Sequence, residues 1–431
     1  MLKNYLWPMR HLLTHRPFYV CVILALTAIY SIQVFTPLRL HPDTVVLLSV
    51  ADSVAHGGDY LFKGKKPDFP PGYPAFVAIL IKMGLPYTSI LIGFNIVFLC
   101  AGFLALRLVL RRFGYGTFSF LNISILTLFS FVVIRHFTIP LTDICFFAVS
   151  MSCLALMESA TELHGWLLVR RLILIWIAVT VTLSIRRIGL ALVPALLWTM
   201  ISKPEINSTI RGCSTKIKIA GASLIVLAGA GTAWIVMHFS TLGDWKQVLI
   251  GHHFLEAAYG ILHFRLRELG EITLNIPSQM LPAKADDLLM VIGALLMMVL
   301  LAGIHIRGQL GPTGIYVLGY LLIMFTWPYY DPRFWLPILP LVIAYAGLTL
   351  KRLQQFSICG TAAEVYSLTF VAMGIVALLS STMITFSGQN FPNLYRDGIY
   401  RSTYCSIYHS CDRPDSKPID HAALHVLRVY K

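Results

Sequence analysis

The feature that most constrains this chain is the length of its apolar runs. Residues 90–106, for instance, carry no charged side chain and are apolar on every helical face. About 20 helical residues cross the hydrocarbon layer of a bilayer. Inside that layer each backbone N–H and C=O must be satisfied within the protein, which leaves helices or a closed barrel. Barrel strands alternate apolar and polar residues; these runs do not. The sequence therefore predicts an all-α, polytopic membrane protein. Only 13% of the residues are charged, against roughly 25% in soluble domains.

Eleven spans are expected, at 18–38, 87–106, 117–134, 139–157, 172–184, 189–201, 219–238, 288–305, 313–327, 334–350 and 365–386. The basic N-terminus followed by an apolar run, with no small-residue cleavage site, reads as a signal anchor that stays as the first span. With the N-terminus inside, the inner segments carry fifteen basic and three acidic residues. The outer segments are nearly balanced. This asymmetry places the N-terminus in the cytoplasm and the C-terminus outside the plasma membrane. It also accounts for the net charge of +14 without nucleic acid, for which the chain has no motif. Residues 1–386 form the membrane domain, with outer loops at 39–86 and 239–287, and residues 387–431 form a short external tail.

The first outer loop holds the longest polar interruption near the start of the chain. It opens with His41, Pro42 and Asp43. An apolar stretch at 44–55, too short to span, follows as an interfacial helix that Gly57 and Gly58 would end. Then come Lys63, Lys65 and Lys66, and the rigid sequence FPPGYP (Phe69 to Pro74). A second short helix is expected at 73–83. Residues 255–271 are amphipathic and suit a helix on the membrane surface.

Asp43 has two readings. It is a general base at a partly desolvated boundary, or it is the N-cap of the following helix. Asp52 and Asp59 read as capping or solvated residues. Lys63, Lys65 and Lys66 suit a phosphate, and equally ordinary headgroup contacts. Charges at span ends are functional suspects because burying them is costly. On the expected topology Arg135, His136, Asp143, Arg186, Arg187 and Arg333 all meet the face that carries Asp43, with Tyr330 among several aromatics. Arginine binds oxyanions through a planar fork. Alternatively each arginine only anchors a span end, Arg333 through Asp331 and Arg135 through Asp143.

Four of the eight cysteines, Cys21, Cys100, Cys145 and Cys153, lie in apolar spans. Cys213 and Cys359 fall in basic loops. Cys405 and Cys411 lie close together in a tail that meets an oxidising compartment, where they form a disulfide or remain two thiols. No metal-ligand spacing, phosphate-binding loop or nucleophile elbow occurs, and the His252–His253 pair is weak as a metal site.

Taken in order, HPDT (His41 to Thr44), Gly57 to Tyr60, FPPGYP, TIPLTD (Thr138 to Asp143), SIRRIGL (Ser184 to Leu190) and YYDPRFWLPILP (Tyr329 to Pro340) resemble the GT-C class of polytopic glycosyltransferases. The likeness is to bacterial members similar to protein O-mannosyltransferases and to the lipid A aminoarabinose transferase. It covers most of the first 350 residues. The resemblance implies a sugar taken from a polyprenyl-phosphate carrier on the outer membrane face and passed, with inversion, to a lipid, glycan or protein acceptor. It implies a catalytic acid at Asp43, phosphate or sugar contacts at Arg333, and a further acid at Asp143. No cofactor is required by this scheme; a divalent ion is left open. The chain departs from the family where Thr44 replaces a common second acid. It departs again at Asp68 and Phe69, where the lipid A branch has a lysine before its paired prolines. A polysaccharide polymerase or ligase, and a transporter or flippase of lipid-linked glycans, are the rival expectations.

Overall fold

The computed structural model describes residues 16–201, 254–308, 310–353, 357–395, 398–409, 411 and 418–430. The expected span at 219–238, the segment 202–218 with Cys213, the His252–His253 pair and the side chain of Cys359 lie outside them.

Helix α1 (Arg16–Ile32) continues as a 3-10 turn to Phe35 and leads into α2 (Pro42–Ala55) and α3 (Gly72–Lys82). Then follow α4 (Thr88–Arg112), α5 (Thr117–Leu128), α6 (Phe131–Phe137), α7 (Thr142–Ala160), α8 (Gly165–Ile185) and α9 (Leu192–Ile201). After the gap come α10 (Phe254–Leu274), α11 (Asp286–Ile306), α12 (Pro312–Met324), α13 (Leu339–Leu353) and α14 (Ser357–Thr385). The tail adds α15 (Arg401–Tyr408) and α16 (His421–Val429). Among the described residues the architecture is all-helical, with one isolated bridge between Phe62 and Lys65.

Six of these helical segments are long and apolar enough to cross a membrane, seven if α5 and α6 are one broken span. The chain thus has the architecture of a multi-pass membrane protein. Segments of α1, of the 187–200 region and of α12 are apolar but shorter. Successive long helices alternate in direction, so residues 35, 88, 142, 185, 286 and 385 gather at one end of the bundle. Residues 112, 160, 165, 306 and 312 gather at the other. Helix α7 and the helical stretch Pro332–Leu353 are its most enclosed spans.

Close approach explains several glycines. A Cβ at Gly102 would overlap the Phe147 ring, seating α4 on α7. In TM-type packing such small residues let helices meet backbone to backbone. Helix α10 uses this fully. A Cβ at Gly270 would overlap the Leu289 carbonyl, and one at Gly293 the Leu266 carbonyl. The two contacts make α10 and α11 antiparallel partners. The surface position expected for 255–271 is therefore corrected. The polar side of this helix, with Arg265, Glu268 and Glu271, is buried.

The break between α5 and α6 bends the chain by 63°. Backbone groups freed at such a break need partners. Asn275, held in the left-handed region at φ 57, supplies them. It accepts from Phe131 N–H (2.7 Å) and donates to the carbonyls of Phe129 and Phe370 (2.9 Å each).

The tail packs on the segment that precedes and opens α2. The Tyr404 hydroxyl accepts from Leu40 N–H (2.6 Å) and donates to Leu38 O (3.0 Å), while Tyr395 donates to Leu40 O (2.9 Å). Tyr430 donates to Leu48 O, and His425 meets Asp52 at 2.8 Å. Cys405 and Cys411 are joined by a disulfide beside Tyr404. The tail thus straps the segment that leads into Asp43.

Candidate functional site

Asp43 lies at the second position of α2. The cap is His41, whose extended backbone precedes Pro42 at the first helical position, where the missing N–H costs nothing. His41 Nδ1 accepts from Asp43 N–H at 3.2 Å. The N-cap reading of Asp43 is thereby corrected, and its carboxylate is released for other partners. Upstream, Arg39 is buried and fixes the start of the loop through Thr36, Ser381 and Thr385. Burial pulls its pKa down to about 10.

Arg333 reaches Asp43 from the far side of the sequence. It follows Asp331, which caps the 3-10 turn Pro332–Ile338 by accepting from Arg333 N–H at 3.1 Å. Pro332 fixes the chain at the first position of that turn. The Arg333 guanidinium pairs with Asp331 Oδ2 through Nε (2.6 Å) and with Asp43 Oδ2 through Nη2. His41 Nδ1 lies 3.5 Å from its Nη1. Arg333 is 7% exposed and Asp43 24%. Asp43 Oδ2 is occupied by Arg333, while Oδ1 has no partner among the described residues.

The second pair is Asp143 with Arg186. Asp143 stands in the first turn of α7 and Arg186 just beyond α8, so the antiparallel helices bring the two ends together. Asp143 Oδ1 takes the arginine, and Oδ2 is buried without a hydrogen-bond partner. The expected Arg135–Asp143 pair is corrected: Arg135 is exposed and Arg186 takes its place. The Phe334 ring joins the two pairs. Its centroid is 5.0 Å from the Arg186 guanidinium carbon and 5.1 Å from that of Arg333. The two cations therefore lie within about 10 Å of each other. His136, buried and bonded to Val132 O, is close enough to feel the charges of Asp331, Asp143 and Arg333.

The remaining expected residues separate. Arg187 faces the first loop at Tyr60, whose hydroxyl donates to Phe69 O at 2.7 Å. There FPPGYP docks on the SIRR turn so closely that a Cβ on Gly72 would overlap Ser184. Tyr330 turns to α10 and the turn that follows it, with Arg267 5.1 Å from its ring and Ser278 Oγ 3.2 Å from its hydroxyl. Lys63 turns to the tail, 3.9 Å from Asp420, and Lys66 is exposed. Among the described residues no cluster of three His, Cys, Asp or Glu side chains is placed to hold a metal ion. Asp43 and Asp331 both face Arg333.

Sequence reasoning missed the support behind this cluster. Glu268 accepts from Asp331 N–H, from Trp335 Nε1 and from Arg265, each at 2.6–2.7 Å. Burial pushes its carboxyl up to about 7, against the pull of Arg265. The signal was an Arg–Glu pair three residues apart on a helix of span length, where buried charge is a functional marker. What the cluster offers chemically is one carboxylate oxygen open to a hydroxyl, two guanidinium groups around one ring, and a buried carboxylate oxygen seeking a donor. No protein family, curated protein or solved structure matches the chain.

Proposed function

We propose that the protein is a GT-C-type membrane glycosyltransferase, with about eleven spans in the plasma membrane and the Asp43 cluster on the extracytoplasmic side. It takes a sugar from a polyprenyl-phosphate donor and passes it to a lipid, glycan or protein hydroxyl with inversion. The observation that carries this reading is the convergence of Asp43, Asp143, Arg186 and Arg333 from four separate stretches at one end of the bundle.

In this reading Asp43 Oδ1 accepts the proton of the acceptor hydroxyl as its oxygen attacks the anomeric carbon. The bond from that carbon to the carrier phosphate breaks, and the phosphate leaves with the electron pair. Arg333 and Arg186 stabilise the charge that develops there. Asp43 and Asp331 hold Arg333 in place beforehand, so little reorganisation is needed when the charge appears. Asp143 Oδ2 is an acceptor for a sugar hydroxyl. The carrier tail runs in lipid between spans.

The test is a label chase. Membranes containing the protein are incubated with polyprenyl-phosphate sugars radiolabelled in the sugar. Label moving singly onto an acceptor, with release of polyprenyl phosphate, supports the transferase. Growing glycan chains on a lipid carrier would identify a polymerase or ligase instead. Label that crosses the bilayer with its carrier bond intact would identify a flippase.

A further inference from the structure

The Arg265–Glu268 pair on α10 touches none of the groups assigned a chemical step. Both side chains are 0% exposed, and Nη1 to Oε2 is 2.6 Å. A buried ion pair is a poor stabiliser: an apolar pair of similar volume often serves the fold as well or better. The contacts of this pair point elsewhere, because both residues grip one segment. Arg265 Nη2 donates to the Tyr329 carbonyl and, at 3.5 Å, to that of Trp327. Glu268 Oε1 accepts from Asp331 N–H, and Oε2 from the Trp335 indole, each at 2.7 Å.

Residues 332–335 belong to the 3-10 turn Pro332–Ile338, and Phe334 O accepts from the Tyr320 hydroxyl. Residues 327–331, ahead of that turn, lie in no helix, and Pro328 and Pro332 lack N–H donors. Four contacts from α10 therefore bracket the turn on both sides of Asp331 and Arg333. Those two residues, with Asp43, make up the ion cluster of the site. Arg267, between Arg265 and Glu268 in the α10 sequence, adds a guanidinium over Tyr330.

We propose that Arg265 and Glu268 are positioning residues. From behind the 327–335 turn they fix where the Arg333 guanidinium stands relative to Asp43, and so where a donor phosphate is received. The donor role rests on the glycosyl-transfer reading; the ordering of the turn does not.

The experiment uses the full chain in lipid nanodiscs. Wild type is compared with Arg265→Met/Glu268→Leu, which keeps volume and leaves no charge unpaired. Thermal stability, backbone hydrogen exchange over 327–336, and kcat and KM for a polyprenyl-phosphate sugar are measured. The expected double variant stays folded and its exchange over the turn rises about tenfold. Its kcat falls about 100-fold, the scale of an ångström of misplacement, with KM changed by less than about threefold. Trp335→Phe removes one anchor and little volume. It should move exchange and kcat the same way by about tenfold, which keeps the idea testable if the double variant does not fold. Unchanged exchange in a folded variant overturns the proposal, as does faster exchange with unchanged kcat. Wild type that cleaves no polyprenyl-phosphate sugar overturns the transferase reading and the donor-positioning role with it, while exchange still decides whether the pair orders the turn.

Discussion

Arg333→Met tests the geometry of the cluster without assuming any reaction. The guanidinium is 7% exposed and lies between Asp43 and Asp331, which are 24% and 21% exposed. Removing one partner of a fully buried pair costs about 3–5 kcal/mol, because the other charge is stranded. Here both stranded carboxylates keep part of their surface in water and recover some hydration. The expected cost is about 2–3 kcal/mol. Asp43→Asn leaves Arg333 with Asp331 and should cost about 1 kcal/mol. If the two side chains meet as described, the double variant loses their contact once rather than twice. The coupling energy should then be about 1–2 kcal/mol. Unfolding by denaturant in mixed micelles, for wild type, both single variants and the double, gives that number. Costs that add within about 0.5 kcal/mol would refute the contact, and with it the placement of Arg333 beside Asp43.

Three further outcomes are expected. Gly293→Ala drives a Cβ into the Leu266 carbonyl, which is backbone and cannot swing aside; it should cost about 3 kcal/mol or more, while Gly93→Ala, with open space around it, should be neutral or slightly stabilising in the same melt. Glu268 has a folded pKa raised to about 7, so its contribution to stability is fully present below the unfolded value near 4.5 and is lost as pH rises through 7. The loss should appear as a fall in wild-type melting temperature between pH 5 and pH 8 that Glu268→Gln lacks; parallel profiles would contradict it. Tyr404→Phe strands the buried Leu40 N–H and Leu38 carbonyl, which should cost about 2 kcal/mol and raise hydrogen exchange at Leu40.

The helices were legible because span-length apolar runs leave the backbone no alternative. Of the eleven expected spans, ten fall on described helical segments, since each coincides with such a run. Six of those segments, or seven with the α5–α6 pair joined, have full spanning length and apolarity. Partners were less legible than positions. Asp143 pairs with Arg186 rather than the nearer Arg135, because the antiparallel ends of α7 and α8 meet in space and sequence proximity does not show that. His41 took the capping role that residue preference gives to aspartate, since Pro42 already begins the helix. Helix α10 read as interfacial because its charges break the apolar pattern; nothing local shows that a turn 60 residues later supplies their partners. The tail gave even less warning. Tyr395, Tyr404 and Tyr430 act through single hydroxyls on the backbone of residues 38–48, and such contacts leave no periodicity.

The most direct test of the central claim is donor cleavage by Asp43→Asn against wild type, in membranes where both proteins are folded and equally abundant. A positioned general base contributes about 10²–10⁴-fold in rate. The account predicts that wild type releases polyprenyl phosphate from its sugar-linked form and that Asp43→Asn does so slower by that factor. Equal release by the two proteins would contradict it, and would leave Asp43 as no more than the structural partner of Arg333.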